Sequence, residues 1–202
     1  RTILNISQTV VEINEGENAT YTVTVYGAYG ITKLNITKDD LTITPSANYK
    51  FNETTGNLTL TGLKKGVHNI TVTYKGNDVN NTSNGNVIIY VRGTIEINPA
   101  TTSVNVNSTK IVEIKINNIT NGVDKFDFNT SNINITVSYK DGNTTKNITY
   151  TGLTIENNTI KITLENGNFT TATLTITYNE TTTKNVTLNR IYNVKIIALN
   201  TE

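Results

Sequence analysis

From Val67 to Tyr74 the chain alternates. His68, Ile70, Val72 and Tyr74 fall on one face, and Val67, Asn69, Thr71 and Thr73 on the other, which is mainly polar. A period of two is the mark of a half-buried strand, because successive side chains of an extended backbone point to opposite sides. The same reading holds elsewhere. Tyr21, Val23 and Val25 line one face of "YTVTV", and Val87, Ile89 and Val91 one face of "VIIYV". Val112, Ile114 and Ile116 alternate in "IVEIKI", and Leu174, Ile176 and Tyr178 in "TLTITY". Turn signals separate these runs at short intervals: "EGEN", "KGND", "NGN", "KDGN", "ENGN". "YKDGN", Tyr139 to Asn143, predicts a hairpin, since Gly142 accepts a positive φ. No amphipathic helix of useful length stands out. Many short antiparallel strands between frequent turns predict an all-β sandwich or barrel. A parallel β-helix would repeat every 20–25 residues or so, and no such period is present.

Composition narrows the class. Of the 202 residues 36% are hydrophobic and 7% aromatic, with no cysteine or tryptophan and one histidine. The apolar residues are mostly Ile, Val, Leu and Tyr, which suit strands. Without cysteine there are no disulfides and no thiolate metal sites. Seventeen basic against sixteen acidic residues give a net charge of +1, with no clustered cationic footprint for nucleic acid. No apolar run reaches the roughly 20 residues of a helical membrane span. The opening lacks the charged-then-apolar run of a secretory leader, so the chain reads as part of something longer.

Asparagine and threonine dominate. Eighteen Asn-x-Ser/Thr sequons are present, from Asn5 to Asn185, where random order would give roughly 8. Alternation explains the excess. Asn and Thr at i and i+2 share the wet face, and the apolar residue between them points inward. Selection for glycans is the other explanation, and Asn69, Asn80, Asn134 and Asn143 are candidate attachment sites.

A repeat is suggested by arginine. Aligning Arg1, Arg92 and Arg190 places an Ile/Val-rich strand and then a polar turn after each, at spacings of 91 and 98 residues. About 100 residues is the length of an immunoglobulin-like sandwich. Two tandem domains follow, 1–93 and 94–202, with the boundary near Arg92 to Thr94. The tail after Arg190 is either the last strand of the second domain or the start of a further repeat.

The span Leu63 to Val91, "LKKGVHNITVTYKGNDVNNTSNGNVIIYV", resembles the C-terminal half of the Ig-like repeats in bacterial and archaeal adhesin-like proteins. In those repeats an L-x-x-G-x-(Y/H)-x-(I/V)-x-V-x-Y-x-G segment forms the penultimate strand and its loop. The Asn/Thr/Ile/Lys-rich composition is similar to that of methanogen surface proteins. The second domain matches in pattern only: Tyr178 stands where Tyr74 does, but Ala172 replaces His68 and no glycine replaces Gly66. The resemblance implies an extracellular, cell-anchored role in attachment or display. Its partners would be a host-cell or glycan ligand and neighbouring repeats of the same chain.

Few residues carry chemistry. His68 occupies the place of the corner tyrosine of antibody-type domains, and there its ring bonds nearby backbone. One histidine without cysteine makes neither a zinc site nor a catalytic pair. Asp78, Asp124 and Asp127 lie in or beside turns and are calcium candidates, though they lack the dense spacing of a calcium loop. Some surface sandwiches join an early lysine to a late asparagine, which points to Lys110 or Lys115 with Asn189 or Asn193. Alternation, however, puts Lys115 in water. The polar Lys75–Asn86 stretch is the longest connection, either a binding loop or a plain linker. No catalytic residue and no cofactor is expected.

Two readings remain. One is a non-enzymatic stalk or display pair, forming a short rod. The other is a carbohydrate-binding β-sandwich module, for which Tyr26, Tyr29 and Tyr49 would supply a stacking platform.

Overall fold

The computed structural model describes residues 1–165, 168–181 and 187–198, with side chains at all of these except 99, 180, 181 and 187–190. The chain divides into two compact units. The first comprises Arg1–Thr94 with Asn121–Asp124, the second Ile95–Thr120 with Lys125–Glu202.

The first unit runs β1 (Ile3–Ile6), β2 (Val10–Asn14), β3 (Ala19–Gly27), β4 (Thr32–Lys33), β5 (Leu41–Thr44), β6 (Asn48–Phe51), β7 (Asn57–Thr61), β8 (Gly66–Tyr74) and β9 (Ser83–Arg92). One sheet has the order β1-β3-β7-β6, with β4 beside β3; the other is β2-β9-β8-β5. The alternation seen in sequence is the reason for the sandwich. Tyr21, Val23 and Val25 of β3 and Leu58 and Leu60 of β7 are buried in one core with Ile70, Val72 and Tyr74 of β8 and Val87, Ile89 and Val91 of β9. Each such side chain contributes about 1.5–3 kcal/mol on burial.

The second unit repeats the plan. It runs β10 (Glu96–Pro99), β11 (Ser103–Val106), β12 (Ile111–Thr120), β13 (Lys125–Phe126), β14 (Ile133–Asp141), β15 (Thr144–Ile148), β16 (Tyr150–Glu156), β17 (Thr159–Leu164), β18 (Thr171–Thr181) and β19 (Thr187–Ala198). The sheets are β10-β12-β17-β16, with β13 beside β12, and β11-β19-β18-β14-β15. Its core takes Val112, Ile114 and Ile116 from β12, Ile160 and Ile162 from β17, Leu174, Ile176 and Tyr178 from β18, and Val194 and Ile196 from β19. The expected hairpin joins β14 to β15: Asp141 stands opposite Thr144, and Gly142 has φ +62°. The strand β15 has no counterpart in the first unit, whose second sheet ends at β5.

Each unit is thus an Ig-like β-sandwich, and the chain is all-β. Two features depart from a purely antiparallel plan. The opening segment of each unit changes sheets, so β2 pairs parallel with β9, and β11 parallel with β19. In the first unit the change is fixed by Ser7, whose N–H donates to the Thr22 carbonyl at 2.9 Å and whose Oγ accepts from the Thr22 N–H at 2.8 Å.

The arginine alignment is corrected by the register. Arg92 closes β9, one residue beyond the Gly66–Val91 pair, whereas Arg190 stands early in β19 opposite Tyr178. The two arginines therefore occupy different strand positions. The described tail after Arg190 continues β19 to Ala198 and pairs there with β18 and β11 of the second unit. The tyrosine correspondence does hold, since Tyr74 faces Leu41 and Tyr178 faces Ile133, the first residues of β5 and β14.

Candidate functional site

His68 opens the inward-facing row of β8 and is half-buried. Its Nε2–H donates to the Lys64 carbonyl, 2.6 Å away and four residues upstream. This is the bond a corner tyrosine makes, so the ring ties the turn before β8 to the strand. Ala172, at the corresponding place in β18, is buried with no such tie. Among the described residues no three His, Asp or Glu side chains group in a way that could hold a metal ion.

The aspartates are separated in role. Asp124 accepts from Arg92 Nε at 2.8 Å and from Asn121 Nδ2 at 3.0 Å. These bonds, led by the one from Arg92, hold its carboxyl below the ordinary carboxylate range. Arg92 also reaches Glu12 at 3.5 Å. Asp127 is exposed, and its backbone carbonyl accepts from Asn132 Nδ2 at 2.9 Å. Asp78 is exposed in the Lys75–Thr82 loop. That loop is ordered by Asn77, whose Oδ1 accepts from the N–H groups of Val79 at 3.0 Å and Asn80 at 2.8 Å.

Lys115 is exposed on β12 and Asn193 exposed on β19. These strands lie in opposite sheets of the second unit, and both residues face outward, so they cannot be joined. Lys110 is half-buried in the turn before β12. The side chain of Asn189 lies outside the described residues, as does the sequon at Asn185.

Of the sequon asparagines in strands, Asn5, Asn57, Asn69, Asn134 and Asn147 are exposed, while Asn118 and Asn179 are half-buried, with Asn118 Oδ1 accepting from Asn98 Nδ2 at 2.6 Å. Several wet-face pairs bond across strands, with Thr22 Oγ1 donating to Asn57 Oδ1 at 3.0 Å and Thr175 Oγ1 to Asn193 Oδ1 at 2.9 Å. Asn143 is exposed in the hairpin turn. Asn80 is half-buried, with Nδ2 donating to Asn77 Oδ1 at 3.3 Å.

The three tyrosines do not assemble. Tyr49 is level with Leu60, which faces Ala19, while Tyr26 lies at the other end of β3 opposite Ile3. Seven residues of strand separate the two levels, roughly 23 Å. Tyr49 is also engaged: its hydroxyl donates to the Leu41 carbonyl at 3.2 Å, and Lys38 Nζ sits 4.8 Å from the ring centroid. Tyr29 is 82% exposed, with a left-handed φ of +62°.

A different aromatic pair lines an open groove in the second unit. Tyr139 and Phe169 pack with ring centroids 5.8 Å apart and planes inclined at 37°. The groove has a volume of about 740 Å³ and includes Ser138, Lys140, Thr173 and Lys195 along its lining. Pairing sets Ser138, Thr173 and Lys195 in one row across β14, β18 and β19. Sequence reasoning missed this site, because its residues come from strands far apart in the chain. A second groove, about 610 Å³, lies beside His68 and is bounded by Pro45, Leu63 and Val67.

No protein-family model matches the chain, and no curated protein matches it in sequence. Among solved structures it is similar to the titin fragment A168–A169 at 11% identity and TM-score 0.36, covering 98% of this chain and 99% of that one. It is similar to protocadherin gammaB7 EC3–6 at 15% identity and TM-score 0.42, covering 98% and 48%. The three N-terminal domains of the bacteriophage RB49 Hoc capsid protein match at 13% identity and TM-score 0.33, covering 100% and 70%. The strand order and pairing described above carry the fold assignment. No helix among the described residues is long and apolar enough to cross a membrane.

Proposed function

We propose that the chain is a non-enzymatic pair of Ig-like domains, 1–93 and 94–202, from an adhesin-like cell-surface protein of the methanogen type. The pair spaces or displays a binding function outside the cell. One observation carries this reading: the same sandwich plan occurs twice in the chain, while its one histidine is used to tie a turn. A catalytic reading needs a nucleophile or acid–base pair in mutual reach, and neither His68 nor the three aspartates is so placed. Asn69, Asn134 and Asn143, all exposed, are the proposed glycan attachment points. Partners are neighbouring repeats and a host-cell or glycan ligand.

The test is surface labelling of intact, unpermeabilised source cells with an antibody raised against this chain, with intact-mass measurement of the recovered protein. Labelling without permeabilisation supports the reading. Signal only after lysis refutes it.

A second reading, a carbohydrate-binding module, is favoured by one observation, the Tyr139–Phe169 groove. The tyrosine trio cannot serve that role, because the register separates its members.

A further inference from the structure

We infer that the groove over β14, β18 and β19 binds an acidic oligosaccharide, laid across the strands from Lys195 to Lys140. The inference rests on the reading of the chain as an attachment module and names the ligand class.

Three features point to this chemistry. The first is charge. Among its described lining residues the groove holds two lysines and no carboxylate, in a chain whose charges as a whole come to only +1. The neighbouring Asp141 does not cancel them, because its carboxylate is paired with Lys146 Nζ at 2.5 Å. Lys140 is held in place, with Nζ donating to Thr145 Oγ1 at 2.6 Å. Lys195 is exposed.

The second is spacing. Lys195 ends the row through Thr173 and Ser138, and Lys140 lies two residues beyond Ser138 on β14. Two strand spacings and one two-residue step separate the lysine backbones by roughly 12 Å. Lys140 Nζ is held on Thr145 of β15, on the side of β14 away from β19, so the two ammonium groups stand apart and an extended chain of acidic sugars spans them. The third is the lining between the cations. Ser138 and Thr173 offer hydroxyls that both donate and accept, as sugar hydroxyls do. The Tyr139–Phe169 pair, half-buried where it packs against the core, adds aromatic carbon to the same lining. Hydroxyls, aromatic carbon and two separated cations together match an acidic glycan better than a lone phosphate.

The experiment titrates tetragalacturonate, cellotetraose and linear polyphosphate into the isotopically labelled chain at low salt. Amide shifts are followed by NMR. Tetragalacturonate is expected to move Ser138, Thr173, Lys195 and their neighbours, and to bind about tenfold tighter than cellotetraose, which lacks the charges. Lys195→Gln and Lys140→Gln, both at exposed positions, should each weaken it by about threefold to fivefold. Phe169→Leu keeps the apolar packing, removes the aromatic face, and should weaken it by about fivefold. Three outcomes overturn the inference: no shifts, shifts scattered over both units, or equal binding of polyphosphate with Phe169→Leu unaffected. Surface labelling of cells carrying the Lys195→Gln protein separates the two proposals. Unchanged tetragalacturonate binding by a Lys195→Gln protein that is still displayed outside the cell sinks the groove alone.

Discussion

Tyr21 and His68 carry opposite consequences for the first unit. Tyr21 is 2% exposed in the middle of β3, and its hydroxyl has no hydrogen-bond partner among the described residues. Burial pushes its pKa upward. A buried hydroxyl without a partner costs about 1–3 kcal/mol, so Tyr21→Phe should leave stability unchanged or raise it by up to about that much. His68→Ala deletes the bond to Lys64 and should lower stability by about 0.5–1.5 kcal/mol, the net worth of one hydrogen bond. The fold should stay intact, as Ala172 already stands at the corresponding place in β18. Urea unfolding of the two variants beside the parent chain checks both signs; a Tyr21→Phe loss would mean that the hydroxyl is satisfied. Spacing alone placed His68 at a corner and on the inward face of its strand. The empty hydroxyl of Tyr21 was not legible, since an inward tyrosine looks the same in sequence with or without a partner.

Strands were the most legible elements, because alternation is local. The inward rows of β3, β8, β9, β12 and β18 are the rows that periodicity marks out. Pairing is not local. The parallel contacts of β2 and β11 depend on a change of sheet made between β1 and β2, where Ser7 bonds Thr22, and between β10 and β11. The groove was hidden for the same reason, as β14, β18 and β19 meet only in the sheet. Turns can be tested one by one. Gly76, at φ +80°, has its Cβ position 2.7 Å from the Asn80 carbonyl oxygen, so alanine there meets rigid backbone. Gly62, at φ +69°, has nothing within 4 Å. Gly62→Ala should cost only the left-handed strain, about 1–2 kcal/mol. Gly76→Ala should cost distinctly more and disturb the Lys75–Thr82 loop. Thermal melts give the ranking, and an equal cost at the two sites would show that the loop yields.

At the scale of the whole chain, sequence gave the all-β class and a doubled plan but mistook the marker of the repeat. Tyr74 and Tyr178 are equivalent because both are inward residues fixed by the core. Arg92 is on the outward row of β9, one residue past the buried Val91, whereas Arg190 stands opposite Tyr178, so the two arginines share no register. Arg92 has a different task. Its guanidinium binds Asp124, in the Asn121–Asp124 segment that clusters with the first unit, and the Gly93 N–H donates to the Asn121 carbonyl at 2.8 Å. The Asp124 carboxyl is held low by Arg92. A depressed carboxyl adds stability that is fully present above its unfolded value of about 4 and is lost as pH falls through the folded value. Asp124→Asn should therefore be less stable than the parent at neutral pH, with the gap closing in acid. The gap should be small, since the side chains of Arg92 and Asp124 are 31% and 46% exposed, and such pairs contribute about 0–1 kcal/mol. The same arithmetic bears on domain independence. Residues 1–94 expressed alone lack Asp124 and Asn121 but keep every strand of both sheets, β1 to β9, and the core between them. That fragment should fold, with dispersed amide resonances and a cooperative melt, at a stability within roughly 1–2 kcal/mol of Asp124→Asn in the full chain. An unfolded fragment would mean that the four-residue segment is part of the core structure of the first domain, and that the boundary at 93–94 does not separate two folding units.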